Sequence, residues 1–176
     1  MRGRHRSSGF TLVELMITLA VLAIILSIGV PSFRTLMENN RVTSQANTLL
    51  SAVNLARTEA VKRGIEVTLK PEPGGFSDGY CVVVGAAGDH ADCEAAETAN
   101  DLVRTFEKPG ALTLADNGFA GISFDGRGFR SDPAVGAADP EITLQPDSCS
   151  TGDLRQRKLV VSNGGRASVM TGEACT

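Results

Sequence analysis

The sequence predicts an α+β chain in which one long N-terminal helix, apolar enough in its first half to cross a membrane, packs on an antiparallel β-sheet domain. Three observations carry that expectation. Phe10 to Val30 is an apolar run with a single charge, Glu14. After it, Phe33, Leu36, Met37, Ala46, Leu49, Leu50, Val53, Ala56 and Ala60 recur at helical intervals, with Asn, Arg, Thr and Gln between them. From Ile65 the pattern changes to short β-like segments separated by Gly, Asp, Asn and Pro. The boundaries that follow are a leader at 1–9, a transmembrane helix at 10–31, an amphipathic continuation at 32–64 and a β-rich domain at 65–176.

The 176 residues supply one modest core. Nineteen glycines and seven prolines, with no Trp, favour many short connections over a helical bundle. The net charge of −3 becomes −6 once Arg2, Arg4 and Arg6 of the leader are removed, and so acidic a body argues against general nucleic-acid binding.

The apolar run is about the length that spans a bilayer as a helix, roughly 20 residues at about 1.5 Å each. Arginines before it hold the N-terminus in the cytoplasm and send the rest of the chain across the inner membrane. An ordinary signal peptide is disfavoured, because the run closes Ser27-Ile28-Gly29-Val30-Pro31 without an Ala-x-Ala-like site and contains an acid. A carboxylate in hydrocarbon costs about 3 kcal/mol on insertion scales, so Glu14 needs a partner or a hydrated interface. Pro31 removes a backbone donor and predicts a kink, not a stop. A helix from Phe10 to Arg63 would measure on the order of 80 Å. Glu59 and Arg63 form an i,i+4 pair on its exposed side, and Gly64 stops it.

The expected strands are Ile65–Leu69, Tyr80–Val84, Leu102–Phe106, Ile122–Phe124, Ile142–Leu144, Leu159–Val161 and Ala167–Met170, with turns at Pro73-Gly74-Gly75 and Asp125-Gly126-Arg127-Gly128. Gly85 to Asn100 and Arg130 to Glu141 read as loops. The first contains Asp89, His90, Asp92, Cys93 and Glu94, but without the spaced Cys/His pattern of a metal site. No cofactor is expected. The lone His90 outside the leader, and the lack of a nucleophile elbow or phosphate loop, argue against an enzyme.

Cys81, Cys93, Cys149 and Cys175 follow the membrane segment and fall in an oxidising compartment. Four cysteines allow three pairings. Proximity favours Cys81 with Cys93 and Cys149 with Cys175, each bond adding roughly 3 kcal/mol by loop closure.

The stretch Gly9-Phe10-Thr11-Leu12-Val13-Glu14-Leu15, followed by the apolar helix and Pro31, resembles the cleavage and methylation motif of type IV prepilins and type II secretion pseudopilins. The resemblance implies the type IV pilin fold and cleavage by a prepilin peptidase between Gly9 and Phe10. It also implies N-methylation of Phe10 and pairing of Glu14 with the new amino group of a neighbouring subunit. Leu55 to Gly64, Gly79-Tyr80, Ile122 to Gly128, Leu159 to Ser162 and Gly165-Arg166 resemble the GspH/FimT (FimU-like) family of minor pilins and minor pseudopilins. That resemblance implies other major and minor pilins or pseudopilins as partners. Incorporation at or near a pilus tip to prime assembly is the first function it implies, and an H-type minor pseudopilin of a secretion system is the second. It also supports the Cys149–Cys175 bond. A DNA-uptake pilin is the third reading, because only Arg166 remains of an arginine-rich tail, with Arg155, Arg157 and Lys158 nearby.

Overall fold

The computed structural model describes residues 10–107, 109–134 and 136–176; the leader, with Gly9 of the expected cleavage site, lies outside them. Helix α1 runs unbroken from Leu12 to Arg63, through Pro31. The chain forms two compact units, one up to Glu38 and one from Asn39 to Thr176.

In the first unit Phe33, Leu36 and Met37 are exposed together with the whole apolar run before them. Their three- and four-residue spacing continues that of Ala46 to Ala60, but they are not among the buried residues of α1. The buried stripe belongs to the second unit and comprises Val42, Ala46, Leu49, Val53, Ala56 and Ala60, with Ala52 beside it. Steps of four, three, four, three and four keep one face of a 3.6-residue helix turned inward. Four of these residues are alanines. The helix ends where Gly64 adopts φ +70° and its N–H reaches the Ala60 carbonyl at 2.8 Å.

Among the described residues nine strands follow: β1 (Val67–Glu72), β2 (Gly75–Val84), β3 (Leu102–Phe106), β4 (Leu112–Asp116), β5 (Ile122–Phe124), β6 (Arg130–Asp132), β7 (Glu141–Pro146), β8 (Gln156–Val161) and β9 (Ala167–Glu173). They form two antiparallel sheets, ordered β3-β2-β1-β5-β6 and β4-β7-β8-β9. Leu69, Phe76, Tyr80, Val82, Ile122 and Phe124 from the first sheet meet Leu114, Ile142, Leu144, Leu159 and Val161 from the second in one core with the helix stripe. Strand β2 is buried on both faces. Its alternate residues Cys81 and Val83 form a smaller cluster with Cys93 and Ala96 of a short helix, α2 (Cys93–Thr98).

Three local readings change. The expected loop at 85–100 contains α2, nucleated by Asp92, whose carboxylate accepts the Ala95 N–H at 2.7 Å. The expected loop at 130–141 opens with β6, where Arg130 is buried. Strand β4 was not among the expected segments, although Leu112 and Leu114 turn inward and Thr113 and Ala115 outward.

Two polar junctions fasten the sheets. The Ser77 hydroxyl of β2 donates to Leu114 O and accepts from Leu114 N, each at 2.8 Å, which ties it to edge strand β4. The Arg130 guanidinium of β6 donates to Val161 O at 3.1 Å and to Asn163 Oδ1, and it pairs with Asp139 at 3.2 Å. Leu49, fully buried at the centre of the stripe, tests the packing. Leu49→Ala should lower the stability of the solubilised chain by roughly 2 to 5 kcal/mol, read by chemical denaturation.

Candidate functional site

The apolar half of α1 is the first candidate, because it is long and apolar enough to cross a membrane and none of it is buried. Its start is defined locally. Thr11 Oγ1 accepts the Glu14 N–H at 3.2 Å, and Thr11 O accepts the Leu15 N–H at 3.2 Å. Thr11 is thus the N-cap and Glu14 the third helical residue, where the unpaired N–H groups of the first turn favour negative charge. Phe10, Thr11 and Glu14 are all exposed. The hydroxyls of Thr18 and Ser27 donate to the carbonyls of Leu15 and Ile24 at 2.8 and 2.7 Å, so these polar groups are satisfied within the helix, as a hydrocarbon solvent requires. The signal for the Thr11 cap in the sequence is a Thr three residues before Glu14.

The second candidate is the end of the domain where α1 stops. Arg57 Nε donates to Gly128 O at 2.9 Å and its Nη2 to Gly164 O at 3.2 Å, so one helix side chain holds a turn from each sheet. The Asp125 carboxylate accepts the N–H groups of Phe129 and Arg127, both at 2.9 Å, and pairs with the Arg127 guanidinium at 3.1 Å. The Phe129 N–H, with Arg127, holds the Asp125 carboxyl below its ordinary pKa. Arg63 and Lys62 do the same for Glu59, at 2.8 and 3.3 Å. In the core, burial pushes the Tyr80 hydroxyl up to about 12, against a hydrogen bond from Gln45 at 3.3 Å. Sequence reading missed the anchoring roles of Arg57 and Arg130, since both act over separations that no local pattern encodes.

Cys81 is bonded to Cys93 and Cys149 to Cys175, the pairing that proximity favoured. The first bond pins α2 to the outer face of β2; the second ties the segment after β7 to the C-terminus. Arg155, Arg157 and Arg166 are not brought together. Arg155 precedes β8 and faces Asp153 at 3.5 Å, while exposed Arg166 follows the turn at the other end of that strand, about 20 Å away. Lys158 pairs with Glu141 at 3.3 Å. His90 Nε2 lies 3.2 Å from Val84 O and 3.3 Å from the Asp101 carboxylate. Among the described residues no group of three His, Cys, Asp or Glu is placed to hold a metal.

This architecture, an exposed apolar helix continuing into the spine of a two-sheet domain, is that of a pilin-like filament subunit. The family described as type II transport protein GspH matches residues 45–165, and the prokaryotic N-terminal methylation motif matches residues 4–30. The chain belongs to the GspH family, and it is a minor pilin or pseudopilin of the type IV pilus and type II secretion group. The methylation motif implies processing by prepilin peptidase and partners of the pilin family. The fold is similar to two crystal structures of the type IV minor pilin FimU from Pseudomonas aeruginosa strain PAO1. One is 20% identical, with 80% of this chain and 96% of that chain covered and a TM-score of 0.60. The other is also 20% identical, with 76% and 96% covered and a TM-score of 0.55. No curated protein matches the chain.

A carboxylate held below its ordinary pKa stabilises the folded form above the carboxylate range, and this contribution is lost as pH falls through the depressed folded value. Asp125→Asn should therefore lower the melting temperature near pH 7, with the difference from the parent chain shrinking toward zero as pH falls below about 4. An equal deficit at both ends of that range would contradict the role given to the charge.

Proposed function

We propose that the chain is a minor pilin, cut by prepilin peptidase between Gly9 and Phe10, methylated on Phe10, and incorporated at or near the tip of a type IV pilus, where it primes assembly. Before incorporation it sits in the inner membrane as a single-pass protein with its C-terminal domain in the periplasm. The observation that carries this reading is Glu14, the one charge in an uncovered apolar helix, four residues beyond the amino group that cleavage at Phe10 would create. In hydrocarbon that carboxylate calls for a cation, and the N-terminus of a neighbouring subunit supplies one. A kink at Pro31 belongs to the same proposal. The role is structural and requires no catalytic residue or cofactor; the domain's hydrogen bonds and ion pairs serve its turns and sheet junctions instead.

The second reading is an H-type minor pseudopilin of a type II secretion system, favoured by the description of the matching family. Similarity of fold to FimU supports the pilus. DNA uptake is the weakest of the three, because the separation of Arg155 from Arg166 leaves no continuous arginine patch on this hairpin.

In a strain lacking the gene, sheared surface pili should drop sharply and return with the complementing gene. A complementing Glu14→Ala chain should be processed and retained in the membrane, yet be absent from filaments. Unchanged pili in the deletion strain would move the secretion reading ahead, and normal incorporation of Glu14→Ala would remove the pairing.

A further inference from the structure

Beyond Asn39, the large apolar side chains left exposed among the described residues are Val61, Ile65, Phe129, Leu154 and Met170. The first three converge where α1 ends. Val61 lies in the last turn of α1, Ile65 directly after Gly64, and Phe129 in the β5–β6 connection that packs against this end. Contact there is close enough to require glycine. A Cβ on Gly126 would lie 2.6 Å from the Gly64 carbonyl carbon, and one on Gly128 would lie 2.9 Å from Val61 Cγ2. These residues therefore lie at one end of the domain, where Arg57 Nε donates to Gly128 O.

The charges around them are sorted by depth. Lys62 and Arg63 have side chains 75% and 42% exposed, whereas Glu59, which pairs with both, is 14% exposed. Arg127 is 81% exposed and its partner Asp125 29%. The Arg127 guanidinium also lies 5.9 Å from the centre of the Phe129 ring. This end thus carries exposed apolar side chains together with exposed cations, on a chain whose net charge is −3 with the leader and −6 without it. An apolar centre with a charged rim is the anatomy of a protein interface. Nucleic acid would be met by cations alone.

We propose that this face docks the acidic surface of a neighbouring filament subunit. An apolar side chain of that subunit enters among Val61, Ile65 and Phe129, and its carboxylates meet Lys62, Arg63 and Arg127. Charge complementarity selects this occupant, and this chain shows the kind of surface such a subunit offers: between Lys70 and Arg104 it carries seven carboxylates and no Lys or Arg. The proposal rests on the filament-subunit reading and adds where one of the contacts is made.

The test places photoreactive p-benzoylphenylalanine at Phe129 of the full-length chain, expressed in its own cells, and identifies adducts by mass spectrometry. The expected adduct is a second protein bearing the N-terminal methylation motif, joined through a peptide containing Asp or Glu. Its yield should fall about tenfold when Lys62→Glu and Arg127→Glu are added. The disulfides and membrane level of that variant report its folding, and Lys62→Gln with Arg127→Gln gives a milder second variant. The same group at Leu154 should give no such adduct. No adduct at Phe129, an adduct only with nucleic acid or with an unrelated protein, or a yield indifferent to both charge variants overturns the proposal. A chain found in filaments without the adduct removes this interface and leaves the filament reading standing; a chain absent from filaments removes both.

Discussion

Between Val42 and Ala60 the helix turns one narrow apolar stripe toward the domain, and both sheets bury their inner faces against it. Everything else in the domain is arranged around that contact. Ser77 and Arg130 join the sheets at two junctions, and Arg57 extends from the same helix to hold a turn of each. The same helix, some turns earlier, has no buried residue among those described. One continuous element is therefore apolar and exposed in its first part and turned toward its own domain after Asn39.

That division explains which parts of the structure were legible in the sequence. The buried positions from Ala46 to Ala60 were readable because burial on one helix face leaves a strict three-and-four spacing. Phe33, Leu36 and Met37 continue a similar spacing yet are exposed, because periodicity marks a helix face and does not by itself report burial. Ile122–Phe124 and Leu102–Phe106 were found with their boundaries intact because apolar and β-branched residues stand between clear turn residues. Arg130–Asp132 reads as loop because it is polar, yet Arg130 is buried with its guanidinium on the Val161 carbonyl, the Asn163 side-chain amide and the Asp139 carboxylate. The α2 helix was hidden for a related reason, since an acidic segment reads as solvent-exposed unless its cap and its disulfide are both considered.

The proposed site rests on a different kind of signal. Phe10 and Glu14 are informative because a lone carboxylate in an apolar run is costly in a membrane, and that cost is visible in the residues alone. The anchoring of the domain's far end was not visible, because Arg57 meets Gly128 and Gly164 from 71 and 107 residues away. The three arginines considered for nucleic acid illustrate the reverse error. They are close in sequence, but the β8–β9 hairpin sets the outermost two at opposite ends.

The account as a whole depends on an amino group being created next to Glu14. The most direct measurement is the intact mass and N-terminal peptide of the chain purified from membranes of its own host. A mature chain beginning with N-methylated Phe10 is the predicted result. A chain that retains Met1, or that begins beyond Val30 after loss of the whole apolar run, would contradict it.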